Sequence, residues 1–326
     1  MLVHPFFVAC AAAGGFLLVA CPLTPDAADD DLAERSEGCG VKRRGEPFEY
    51  PVLLDVDAQG VVLERRYGLR VPERYDDERP YPVVLVFHGD ADCVEFDADA
   101  DACVRSQEAS TGAPSAFGLE PLIGDDAVIV YVEGRNLNAF EPQLLSWDTF
   151  RPVGDNADFA FVDGILATVE QELCIDKART FAVGFSGGGF FVDSLACLRG
   201  GVTAVATFQG GFEAGELEVS FDVDNVIDLK RCVGPPPAAL IVHAKDDTVV
   251  PPRYGDAAAE HFRSVNSCSD QTAPSDLDLD CRAFAGCNDG GDTVLCTPDS
   301  ADFPRTHAIW TPQGPPVVSS FFQSFF

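Results

Sequence analysis

A serine flanked by glycines can act as the nucleophile of an acyl-transfer enzyme, provided that a base and an acid stand within reach. Ser186 is such a residue, in the run Gly184-Phe185-Ser186-Gly187-Gly188. The stretch RTFAV precedes it and GFFVDSLACL follows, so G-x-S-x-G falls between a predicted strand and a predicted helix. That setting matters, because the bare pattern also suits a glycine-rich turn that merely tightens packing. On a sharp strand-to-helix turn the serine is strained. A side chain at Gly184 or Gly188 would collide there with the neighbouring strand or helix. The helix start also offers the backbone N–H of Gly187 to a developing oxyanion.

The serine needs a general base, and the base needs an orienting carboxylate. In strand–turn–helix sites of this kind both follow the serine, the acid first and then the histidine. Five histidines are available. His4 lies in the apolar N-terminal segment, and His88 and His243 end predicted strands. His261 sits inside a predicted helix, where a surface or core role suits it. His307, in RTHAIWTP, is the loop histidine downstream of every predicted strand, so order and elimination make it the base. The acid is expected after the strand AALIVHA, where Asp246 and Asp247 are both open. A second oxyanion donor is expected after PVVLVFHGD, from the backbone N–H of Asp90, with Gly89 as the alternative. His88 is expected to brace that loop rather than to carry a proton.

These residues require a scaffold that brings distant loops together. Strands are predicted at 61–71, 82–89, 127–134, 179–186, 202–210 and 238–244, several of them continuous β-branched runs of the kind buried on both faces of a parallel sheet. Between them Val162, Ile165, Leu166, Val169 and Leu173 repeat at helical spacing. Further helices are predicted at 187–199, 254–265 and in the C-terminal VVSSFFQSFF. Alternating strands and helices imply one doubly wound α/β domain over 39–326, with no internal repeat.

The motifs and their order resemble the secreted esterases grouped as polyhydroxybutyrate depolymerase-like and feruloyl or acetylxylan esterase-like, carbohydrate esterase family one. The similarity covers Tyr67 to Pro72 (Y-x-L-x-V-P), the His88-Gly89 loop, and Trp147-Asp148. It continues through Cys174 to Arg179 (C-x-D-x-x-R), GFSGGG, and LAC at Cys197. It ends with H-x-x-x-D-x-x-V-P from His243 and H-x-x-W-x-P from His307. The resemblance implies an α/β-hydrolase fold and a cofactor-free serine esterase with a Ser186–Asp247–His307 triad, since the family acid stands four residues after its histidine. It implies feruloyl, acetyl or 3-hydroxybutyrate esters as substrates. Trp310 and Trp147 are candidates to line an aromatic acyl pocket. The chain departs from the family pattern at Arg305-Thr306, where a glycine pair is usual, at Gly187, where Asn or Tyr is common, and at Ala244-Lys245 in place of Gly-Thr. Two rival readings share this fold: a serine peptidase and a non-catalytic binding lipoprotein.

Composition narrows the partners. The net charge is −31, with 53 acidic residues against 22 Lys plus Arg. Such a surface repels nucleic acid and anionic membranes. The expected partner is a small-molecule or oligomeric ester bound by a monomer. Residues 1–20 read as a signal peptide, although no Lys or Arg precedes the apolar run. Leu18-Val19-Ala20-Cys21 resembles the lipobox of bacterial lipoproteins, so Cys21 is expected to carry a lipid anchor at the cell envelope. Residues 21–38 read as an acidic flexible tether. The ten cysteines beyond Cys21 imply disulfides rather than a metal site. Local pairings expected are Cys93 with Cys103 and pairs among Cys268, Cys281, Cys287 and Cys296. The aspartates between Asp90 and Asp101 are expected to be a solvated acidic loop, since the glycine turn of a calcium loop is missing.

Overall fold

A strand such as YPVVLVF is apolar at every position, and only a sheet covered on both faces buries both sides of it. The computed structural model has that form. It describes residues 34–43, 45–49, 51–56, 62–92, 117–136, 144–149, 151, 153–212, 218–222, 225–228, 232–299, 307 and 313–326. Strands β1 (Phe48–Glu49), β2 (Val52–Val56), β3 (Val62–Arg70) and β4 (Tyr81–Phe87) lead to the short β5 (Ala91–Asp92) and helix α1 (Glu120–Ile123). Then come β6 (Val128–Val132), β7 (Arg135–Asn136), β8 (Leu144–Ser146), α2 (Ala157–Glu172), β9 (Ile175–Phe185) and α3 (Gly187–Ser194). The chain continues through β10 (Ala204–Phe208), β11 (Glu218–Asp222), β12 (Asn225–Asp228), β13 (Ala238–Val242) and α4 (Arg253–Val265). It closes with β14 (Thr272–Pro274), β15 (Cys281–Phe284), β16 (Thr293–Cys296) and α5 (Gly314–Gln323).

Among the described residues the main sheet has eleven strands, in the order β1-β3-β6-β4-β9-β10-β13-β16-β15-β14, with β2 on β3. From β6 to β16 all pairings are parallel. β3 joins one side antiparallel, and β15 joins the other side in the same way. Helices cover both faces. Phe159, Val162 and Ile165 of α2, Phe191 of α3 and Phe262 of α4 fill one core, while Ile123 of α1 and Val318, Phe321 and Phe322 of α5 fill the other. At the start of α2 the Asn156 side chain accepts the N–H groups of Asp158 and Phe159 at 3.0 and 3.1 Å, a cap that fixes where the helix begins.

The six predicted strands and the predicted helices all form. The helix predicted at 187–199 continues past Ser194 as a π-turn, Leu195–Arg199. The antiparallel edges β1, β2 and β14 to β16 had no strong periodic signal in the sequence. They are held by pairing and by disulfides: Cys268–Cys287 and Cys281–Cys296, which realise the pairing expected among the last four cysteines. Cys39–Cys174 ties the N-terminal segment to the connection between α2 and β9, and Cys197–Cys232 ties a loop to the π-turn after α3. Cys93 and Cys103 lie outside the described residues, as do Cys21, Trp310 and the acidic loop beyond Asp92. Four disulfides among the described residues belong to an oxidising compartment, so the chain is exported.

The domain boundary needs one correction. The tether was expected to run through residue 38, yet residues 34–38 pack on the domain. Buried Ser36 donates its hydroxyl to the Leu173 carbonyl at 2.7 Å and accepts the Ile175 N–H at 2.8 Å. A Cβ at Gly38 would fall 2.3 Å from the Leu173 carbonyl oxygen, so the chain lies directly on that turn. These contacts outweigh the acidic composition that suggested a free linker. Among the described residues no helix is long and apolar enough to cross a membrane.

Candidate active site

Strand β9 runs into α3 through Ser186, whose backbone sits at φ 52° and ψ −121°, a region costly for a residue with a Cβ. The strain persists because the surroundings fix it. The Ser186 N–H donates to the Phe208 carbonyl at 2.9 Å. A Cβ on Gly184 would lie 2.3 Å from the Gly188 carbonyl oxygen, and one on Gly188 would lie 2.3 Å from that of His88. Both glycines therefore permit the close approach that lifts the serine above the end of the sheet.

Loops from the carboxyl ends of β13 and β16 complete a hydrogen-bonded chain. Ser186 Oγ is 3.0 Å from His307 Nε2, and His307 Nδ1 is 2.8 Å from Asp247 Oδ2. Asp247 Oδ1 accepts the N–H groups of Val249 and Val250 at 2.8 and 3.0 Å, which settles the carboxylate into the turn. The His307 ring also lies against Phe185, with centroids 5.0 Å apart. Of the two aspartates left open by residue type, Asp247 reaches the histidine, and Asp246 is exposed.

The loop after β4 closes on the serine turn. Gly89 packs so tightly that a Cβ there would be 3.1 Å from Ser186 Cβ. The Asp90 backbone N–H follows it and comes close to Gly187, where a Cβ would lie 3.2 Å from Asp90 N and 2.1 Å from Asp90 Oδ1. The same carboxylate accepts the Ser146 hydroxyl at 2.6 Å. This explains the glycine after Ser186. The space that a side chain at 187 would need is occupied by Asp90.

His88 holds this loop from below, as expected. Its ring is fully buried, with Nδ1–H donating to the Gly89 carbonyl at 2.6 Å and Nε2 accepting the Gly134 N–H at 2.9 Å. Burial pulls its pKa down to about 4, so the ring is neutral and cannot serve as a proton carrier near neutrality.

Trp147 requires a correction. It was a candidate for an acyl pocket, but only 3% of it is exposed, and it packs against Phe87 and Phe191 in the core. Its indole N–H donates to the His88 carbonyl at 2.7 Å. A buried indole must satisfy its donor, and here the partner is the loop after β4.

A buried ionic cluster behind that loop was missed in the sequence. Asp158 pairs with Arg65 at 2.8 Å and Arg135 at 3.0 Å, while Asp148 pairs with Arg151 at 3.0 Å. The Asp148 N–H also donates to Asp158 Oδ2 at 2.7 Å. The Trp147-Asp148 pair was the available signal, since one residue supports the loop after β4 and the next joins the ionic cluster. Elsewhere Cys197, Cys232 and His261 bring ligand-type atoms within 4.8 Å of one another, but the two sulfurs are bonded to each other and offer no thiolate to a metal.

Sheet order, strained turn and loop placement define an α/β-hydrolase. No protein-family model matches the chain. It is 30% identical over 258 residues to a probable feruloyl esterase C of Aspergillus clavatus, covering 77% of this chain and 75% of that protein. It is 28% identical over 270 residues to feruloyl esterase D of Neurospora crassa, covering 80% of each. Among solved structures it superposes on an acetyl xylan esterase from Aspergillus awamori with a TM-score of 0.52 at 14% identity, over 76% of this chain and 92% of that one. The chain belongs to the feruloyl esterase family. It is a serine carboxylic-ester hydrolase.

Proposed function

We propose that Ser186, His307 and Asp247 are the catalytic triad of an esterase that cleaves feruloyl-type esters through an acyl-enzyme. The observation that carries this reading is the unbroken hydrogen-bonded chain from Ser186 Oγ through His307 to the buried Asp247 carboxylate. In the first step Ser186 Oγ attacks the ester carbonyl as His307 Nε2 takes its proton. Asp247 holds the Nδ1–H and stabilises the imidazolium. The N–H groups of Gly187 and Asp90 receive the oxyanion. As the tetrahedral intermediate collapses, His307 returns the proton to the departing alcohol. Water then enters, gives a proton to His307 and attacks the acyl-enzyme, releasing the acid and restoring the serine.

The relatives' names support a hydroxycinnamoyl acyl group. The protein would act outside the cell or in its envelope, tethered through a lipid on Cys21. A panel of methyl ferulate, an acetyl ester, a 3-hydroxybutyrate ester and a peptide anilide tests the substrate class. The reading predicts the highest kcat/KM on methyl ferulate. An anilide cleaved faster than every ester would replace the reading with a peptidase.

A further inference from the structure

His243 ends β13 and is almost fully buried beneath the Asp247 turn, with no part in the proton transfers above. Its Nε2 lies 2.9 Å from the carbonyl oxygen of Val250. A carbonyl only accepts, so Nε2 carries the proton and Nδ1 of the neutral ring does not. Nδ1 has no hydrogen-bond partner and faces α4, where a Cβ at Gly255 would lie 2.6 Å from it. A second proton on the ring would thus point into backbone without an acceptor.

We infer that His243 is a positioning residue for Asp247: by holding the Val250 carbonyl it keeps the 247–250 turn closed, with Oδ2 aimed at His307. The inference rests on the triad reading. Three bonds define the turn. Val249 and Val250 donate to Asp247 Oδ1, and His243 pins the carbonyl of the residue that supplies the second of those donors. His243 Nε2 itself is 3.6 Å from Asp247 Oδ2, too long for a hydrogen bond, so the ring acts through Val250 and leaves Oδ2 to His307. The ionisable groups facing the ring are Asp247, Asp256 and His307. Burial outweighs the two carboxylates and lowers the His243 pKa, so the ring keeps its single-proton form while His307 cycles. Gly255 and the Val250 bond together leave the imidazole one orientation and one tautomer.

The test compares three variants, each normalised to the number of sites that react with a fluorophosphonate. His243→Met keeps bulk and removes the donor, His243→Gln places an amide N–H near the position of Nε2, and His243→Asn carries the same amide one methylene short. His243→Met and His243→Asn are expected to lose kcat by about 10²-fold per labelled site with little change in KM, as small displacements of catalytic groups do. His243→Gln is expected to restore kcat. If His243→Met fails to fold, the Gln and Asn pair carries the comparison. Variants with wild-type kcat per labelled site would overturn the inference. So would His243→Gln behaving like His243→Asn. Labelling that persists in either case separates this failure from failure of the triad itself.

Discussion

Replacing Asp193 by Asn should stabilise the protein, and increasingly so as pH rises. Asp193 lies on α3, the helix that begins after Ser186, with no exposed surface and no hydrogen-bond partner on either carboxyl oxygen. Desolvation holds its pKa well above the ordinary carboxylate range. The folded state therefore keeps a proton that the unfolded chain releases near pH ~4. Stability contributed by the protonated form is complete below that value and declines as pH rises, by about 1.4 kcal/mol per unit, until the folded carboxyl ionises. Three units, from about pH 4 to about pH 7, set a ceiling of about 4 kcal/mol on the penalty. Asn has the same shape and does not titrate, so the variant removes the pH-dependent part alone. Urea unfolding with disulfides intact, at about pH 5, 6 and 7, should show the gap between Asp193→Asn and wild type widening with pH, by at most about 1.4 kcal/mol per unit. Turnover per active site should not change. A gap independent of pH would refute the reasoning, since the carboxyl would then be ionised or solvated in the folded protein.

Gly187→Ala drives a methyl group onto the Asp90 carboxylate and should lower kcat about tenfold or more by shifting an oxyanion donor, as removal of one donor does. Adding Asp90→Gly should recover part of the loss, and steady-state kinetics of the double-mutant cycle measures the coupling. Trp147→Phe orphans the buried His88 carbonyl and should cost about 1–3 kcal/mol in urea unfolding. His261 is buried with its pKa lowered to about 4 by desolvation, so its contribution is whole above about pH 6.5 and is lost as pH falls toward 4. His261→Gln should remove up to about 3 kcal/mol of acid lability across that window, read by denaturation at a series of pH values.

The parts legible in the sequence are those where one local rule dominates. Gly184 and Gly188 announce the turn because nothing larger fits, and β4, β9 and β13 announce themselves because both faces are apolar. His307 was the candidate base by chain order, since the fold places histidine after acid, whereas the residues left Asp246 and Asp247 both open and only the resemblance to the esterase family pointed to Asp247. Parts set by distant partners were not legible. Arg65, Arg135, Asp148 and Asp158 read singly as surface charges, and only the fold buries them together. Trp147 read as a pocket aromatic because its partner, the His88 carbonyl, lies on another strand. Asp193 shares a helix face with apolar neighbours and gave no sign of being unpaired. The edge strands β14 to β16 are only three or four residues long, too short for a periodic pattern, so cysteine count was their main signal.

The central claim is that an ester's acyl group passes through Ser186. Acid-quenching the enzyme during turnover of a slowly hydrolysed feruloyl ester, then mapping peptides by mass spectrometry, tests it directly. The account predicts a feruloyl adduct on the peptide carrying Ser186 and none in Ser186→Ala, which should lose activity by at least about 10⁴-fold. An adduct on another residue, or a Ser186→Ala enzyme that still hydrolyses the ester at the wild-type rate, would contradict it.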